Sequence, residues 1–174
     1  YLSKTANTMT REMSLTGIRH FLQAWPALNR SAEAHEAIMQ ASYLGGLTLS
    51  AAGLGVIHGI AGEIGALRDY HHGQVCGRLL LPFLELLAKS EQPQQRALMA
   101  ELAARLFPEQ HDSPERYLID FITRNSIASF WQDDLPISAD ELAVTLAKSN
   151  SKNSLIDYSA PQRQQMIEGA FRIE

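Results

Sequence analysis

A chain of 174 residues, 45% hydrophobic and 20% charged, is long enough for one domain with a sizeable core. Its net charge of −4 and pI near 5.9 exclude nucleic acid as a partner, because no basic stripe supplies phosphate contacts. The single cysteine, Cys76, permits no internal disulfide and no CxxC motif, which points to a cytoplasmic protein.

The start, Tyr1-Leu2-Ser3-Lys4, carries neither a signal peptide nor an initiator Met, so the chain reads as part of a longer or processed product. Residues 1–7 form a loop. From Thr8 the apolar residues Met9, Met13, Ile18, Phe21, Leu22 and Trp25 recur at helical spacing, and Pro26 ends that helix. Ser31 is the N-cap of the next helix, through Ile38, Ala41 and Leu44.

Nine of the eleven glycines fall between residues 45 and 77, and residues 37–62 hold no formal charge. Gly53 and Gly55 predict a break, giving two helices or one bent helix between 31 and 65. The uncharged run 37–57 is long enough to cross a bilayer. Its Gln40, Ser42, Thr48, Ser50 and four glycines, with no flanking cationic cluster, argue against a membrane span. The Gly55-xxx-Gly59 spacing serves close packing in soluble bundles as well as in membranes.

After a loop at 66–71, an apolar helix runs from His72 to about Lys89, with a kink expected at Pro82. Gln94 to Leu106 is amphipathic and closes at Phe107-Pro108. Ser113-Pro114-Glu115 starts another helix with an N-cap, a proline at the first position and an acid in the first turn. Capping boxes at Ser138–Glu141 and Ser159–Gln162 start two more, separated by a polar loop over 148–157. No alternating strand pattern and no repeat occurs. The fold class is all-α, a multi-helix bundle of about seven or eight helices.

His58 and His72 are the residues on which chemistry is to be sought. If the first helix ends near Gly65, it travels on for about 10 Å past His58. Six loop residues reach up to roughly 20 Å, enough to bring His72 back near the level of His58. Imidazoles so placed suit Fe(II), Zn(II) or another first-row ion, but two make an incomplete set. Each also fits a hydrogen-bonded core or helix-end role. Glu63 and Asp69 lie near enough in sequence to join a metal shell, though surface positions account for both. Cys76, among apolar neighbours, reads as an inert thiol rather than a nucleophile. His71 reads as solvent-facing, His20, His35 and His111 as polar-segment residues, and Trp25 and Trp131 as core or interface aromatics.

The run Gly53-Leu-Gly55-Val-Ile-His58-Gly59-Ile-Ala61, followed by His72-Gly73-Gln-Val-Cys-Gly-Arg-Leu-Leu-Leu81-Pro82, resembles the helical domain of the iron-containing (group III) alcohol dehydrogenases. That superfamily includes glycerol dehydrogenase and maleylacetate reductase, and its helical part is of the dehydroquinate synthase-like kind. The resemblance extends over nearly the whole chain: Tyr1–Thr10 is similar to the segment after the family's first metal-ligand helix, and Asn153-Ser154-Leu155 to its C-terminal end.

The resemblance implies that residues 1–174 are a single helical metal-binding domain whose N-terminal dinucleotide-binding partner domain is absent. It also implies that His58 and His72 are two of four ligands to Fe2+ or Zn2+. NAD or NADP would be bound mainly by the absent domain, a small alcohol or aldehyde would be the substrate, a homodimer is possible, and the isolated chain would be inactive. The family's frequent histidine four residues after the third ligand is replaced by Gly62, so proton relay must differ, or this member reduces other substrates, or it is less active. The alternative is a catalytically silent helical interaction or dimerisation module with structural histidines.

Overall fold

The computed structural model describes residues 1–28, 30–110, 112–125 and 135–174; His111 and Trp131 fall outside them. Among the described residues there are eight α-helices. They are α1 (Thr8–Ala24), α2 (Ala32–Ala52), α3 (Val56–Leu67), α4 (His72–Ala88), α5 (Pro93–Leu106), α6 (Pro114–Asn125), α7 (Ala139–Lys148) and α8 (Ala160–Glu168). A short 3-10 turn, Trp25–Ala27, follows α1. The all-α expectation holds, with one small addition: Pro136–Ile137 (β1) pairs in parallel with Arg172–Ile173 (β2). Two-residue strands carry no alternation for a sequence pattern to show.

The local starts follow side-chain chemistry. Asn7 Oδ1 accepts the Thr10 N–H at 3.0 Å while Thr10 Oγ1 accepts the Asn7 N–H at 2.9 Å, a reciprocal cap for α1. Ser31 caps α2 by accepting the Ala34 N–H. Ser138 and Glu141 form the reciprocal cap of α7, and Gln162 accepts the Ser159 N–H at the start of α8.

Helix α4 is the spine. Its first half places Val75 and Leu79 in a cluster with Val56, Ile60 and Ile64 of α3 and Met166 and Ile167 of α8. Its second half places Leu84 and Leu87 in another with Met99 and Ala103 of α5 and Leu118 of α6. Each such fully buried side chain contributes on the order of 1.5–3 kcal/mol. The helix continues through Pro82, whose ring rests 3.0–3.1 Å from where a Cβ on Gly169 would stand. Only Glu85 is exposed in its middle turns.

Helices α1 and α2 pack chiefly on each other, with Gly17 set against Ala41 and Leu44. This pairing leaves Met9 and Phe21, both on the apolar stripe of α1, exposed to solvent. On α2, Met39 and Tyr43 are exposed as well.

The expected break at Gly53–Gly55 is a sharp turn: α2 and α3 meet at 101°. Gly53 has φ +68°, a conformation that a side chain resists. Among the described residues no single helix is long and apolar enough to cross a membrane; α2 and α3 reach that length only as this bent pair. The glycine-rich zone has another use. A Cβ on Gly59 would stand 1.9 Å from the Asn150 carbonyl oxygen, and one on Gly55 would stand 3.1 Å from Ser154 Oγ. The missing side chains therefore form the seat of the loop 149–154. That loop is pinned by Asn153 N–H to Leu54 O and Val56 N–H to Ser154 Oγ, both 2.8 Å.

Candidate metal centre

Residues 53–76 deliver two helix starts to one place. Helix α3 begins at Val56, whose N–H is satisfied from another part of the chain by the buried Ser154 hydroxyl. His58 therefore sits in a first turn that is fixed in direction. Helix α3 ends at Leu67, two residues later than the glycine spacing predicts, and the connection is only 68–71. The Tyr70 hydroxyl anchors it by donating to the Pro136 carbonyl at 2.6 Å. Arg68 anchors it too, through a bidentate pair with Glu141 at 2.6 and 2.9 Å. His72 then opens α4.

The His58 and His72 ring centroids are 5.4 Å apart, tilted by 51°. The return of the chain expected from helix rise and loop reach is what the structure shows. His58 is half-buried, and burial, then the nearby His72, lower its pKa, which favours the neutral imidazole that binds metals. His72, the first residue of α4, is exposed. Only the start of α4 protrudes; the next turns are sheltered.

The structure brings in a residue whose apolar sequence neighbours mark it as inert. Cys76 lies one turn beyond His72 on the same face of α4, its Sγ 3.4 Å from His72 Nε2. One ligand atom each from His58, His72 and Cys76 all lie within 4.8 Å of one another. The His72-xxx-Cys76 spacing was the available signal, since residues four apart share a helix face. Cys76 is half-buried, and burial raises its thiol pKa. No other described group of histidine, cysteine, aspartate and glutamate residues converges in this way, and neither Glu63 nor Asp69 joins it. His71 is exposed, with its ring 3.5 Å from where a Gly73 Cβ would stand. Gly62, one turn after His58, is exposed, and a Cβ there would meet nothing within 4 Å.

A cleft of about 400 Å³ opens beside His58, lined by Ser3, Thr48, Leu49, Gly53, Leu54 and Gly55 among others. A larger groove of about 640 Å³ runs between α1, α2, α4, α5 and α6. Apart from Tyr1, its lining is apolar or small and holds no titratable side chain, whereas the smaller cleft includes His58. The imidazole, imidazole and thiol donors fit a first-row divalent ion.

The pattern of the Fe-containing alcohol dehydrogenase family, C-terminal, matches residues 1–168. Over 105 residues the chain is 34% identical to the 1,3-propanediol dehydrogenase of Klebsiella pneumoniae, covering 59% of this chain and 27% of that protein. It is 29% identical over 97 residues to the NAD-dependent methanol dehydrogenase of Bacillus methanolicus, covering 52% and 25%. With alcohol dehydrogenase 4 of Saccharomyces cerevisiae it shares 28% over 118 residues, 66% and 30% of the two chains.

The fold matches an iron-containing alcohol dehydrogenase of Thermococcus thioreducens with TM-score 0.70 at 16% identity, covering 98% of this chain and 46% of that one. The matched part thus spans less than a third of the curated relatives' length. The chain belongs to the Fe-containing alcohol dehydrogenase family and corresponds to its C-terminal part.

Proposed function

We propose that this chain is the metal-binding helical domain of an NAD(P)-linked alcohol dehydrogenase, and that His58 and His72 are two of the ligands to a divalent Fe or Zn ion. The observation that carries this reading is the convergence of the two imidazoles, 5.4 Å apart between the first turns of α3 and α4, beside an open cleft. The relatives' names support the reaction class. In the proposal the reaction interconverts a small alcohol and its carbonyl compound, and the nicotinamide nucleotide is held mainly by a dinucleotide-binding domain outside residues 1–174.

When bound, the ion supplies a Lewis acid for the alcohol or carbonyl oxygen, and the nicotinamide supplies the hydride acceptor or donor. The protein's own part is positional. His58 offers a ring nitrogen from a helix start that Ser154 locks from across the fold. His72 offers one from a connection clamped by Arg68–Glu141 and Tyr70. The glycines at 53 and 55 line the cleft and let Asn153 and Ser154 pack closely beside it. Position 62 carries no side chain able to hold a proton, so protons reach the cleft through water or through another group at its lining.

The test uses the full-length protein, loaded anaerobically with Fe(II) or Zn(II), with NADH and NADPH oxidation followed against a panel of small aldehydes. Metal-dependent turnover is expected, with His58→Ala and His72→Ala each losing both bound metal and turnover. Folded variants that keep their metal would overturn the ligand assignment. A wild-type protein with neither metal nor turnover would overturn the enzyme reading and leave a silent helical module.

A further inference from the structure

We propose that Cys76 is a third protein ligand from this chain, making a His58–His72–Cys76 site whose soft donor favours Zn(II) over Fe(II). The inference rests on the two-histidine proposal above and deepens it by adding the thiol to the ligand set.

The geometry is that of a site needing little rearrangement. A tetrahedral centre with bonds of about 2.0–2.1 Å to nitrogen and 2.3 Å to sulfur puts its donor atoms roughly 3.3–3.6 Å apart. Cys76 Sγ and His72 Nε2 already stand at 3.4 Å, and all three donor atoms lie within 4.8 Å. Two of the donors come from successive turns of one helix, so their separation is set by backbone geometry. The third comes from a helix start held by Ser154. Small changes in side-chain torsions close the set around one ion.

The neighbours leave the thiol this role. Val75 and Leu79 are fully buried in the core; Cys76 is half-buried and packs against the same cluster, with its Sγ reaching the His72 ring. Within α4, His72 is the polar side chain Sγ meets. Metal binding replaces the S–H proton with the ion and releases that proton to water. Thiolate donors select Zn(II), and Zn(II) also lies above Fe(II) in the general affinity order for nitrogen, oxygen and sulfur sites.

The experiment titrates the metal-free full-length protein with Co(II), Zn(II) and Fe(II) under anaerobic conditions. Wild type, Cys76→Ser, Cys76→Ala and His72→Ala are compared. Co(II) should produce a near-ultraviolet thiolate-to-metal charge-transfer band that both Cys76 variants lack. Zn(II) affinity should fall at least tenfold in Cys76→Ser while Fe(II) affinity changes less. Zn(II) should also shield Cys76 in the wild-type protein from alkylation, read by peptide mapping, which needs no variant to fold.

Loss of metal in His72→Ala, with no charge-transfer band and an unshielded Cys76, would overturn this inference and leave the two-histidine reading standing. Metal bound as tightly by His72→Ala as by wild type would overturn the histidine reading and, with it, this site.

Discussion

The sharpest consequence of the fold concerns Gly59, which stands one residue after His58. An alanine there would bring its methyl carbon to 1.9 Å from the Asn150 carbonyl oxygen, 3.1 Å from the carbonyl carbon and 3.5 Å from the Asn150 nitrogen. All three are backbone atoms, so no side chain can swing away. Close contact between carbon and oxygen is about 3.3 Å, so α3 and the 149–154 loop must separate by more than about 1 Å. Overpacking of this kind costs typically about 1–3 kcal/mol. The upper end applies here, because separation also strains the bonds from Asn153 N–H to Leu54 O and from Val56 N–H to Ser154 Oγ.

The control is Gly62→Ala, on the same helix and facing open space, where replacing glycine in a helix interior gains about 0.8–1 kcal/mol. For a domain of this size, about 3 kcal/mol corresponds to a fall in Tm of roughly 6–12 °C. Thermal and urea unfolding of Gly59→Ala, Gly62→Ala and wild type would show it: the two substitutions should move stability in opposite directions. A Gly59→Ala protein as stable as wild type would refute the seating of the loop on α3, and with it the account of why glycine stands beside His58.

Two further outcomes follow from contacts that position the site. Ser154→Ala removes the acceptor for the Val56 N–H, which is buried with it, and should lower the urea-unfolding free energy by about 1–2 kcal/mol; an unchanged midpoint would show that α3 needs no cap from the loop. Glu141 accepts the bidentate Arg68 pair and the Ser138 N–H, and these hold its carboxyl down at about 2 against an ordinary value of 4.5. A carboxylate with a depressed folded-state pKa contributes stability that is full above about pH 4.5 and is lost as pH falls toward 2. Glu141→Gln keeps a residue that can cap α7 but should flatten stability against pH across that window; an identical acid limb in wild type and variant would assign acid sensitivity elsewhere.

Much of this protein is written in local sequence. The α2, α7 and α8 caps, the proline at the start of α6 and the apolar runs of α3 and α4 act within four residues, so periodicity and capping chemistry reveal them. The approach of His58 and His72 is legible too, because a twelve-residue helix and a short connection leave the chain few ways to return. What sequence alone left undecided depends on partners far along the chain. Ser154 reaches back 98 residues to cap α3, Glu141 reaches back 73 to clamp the connection before α4, and β1 meets β2 only because α8 folds onto α4.

The glycines show the division most clearly. Their clustering signals close packing, but whether a membrane helix, a second chain or a loop occupies the vacated space is a question of what lies opposite. At Gly59 tertiary structure answers it with the Asn150 carbonyl. Cys76 is the same case in the site itself: the His-xxx-Cys spacing sets which helix face it shares with His72, and only the packing of α3 against α4 places His58 where that face can use it.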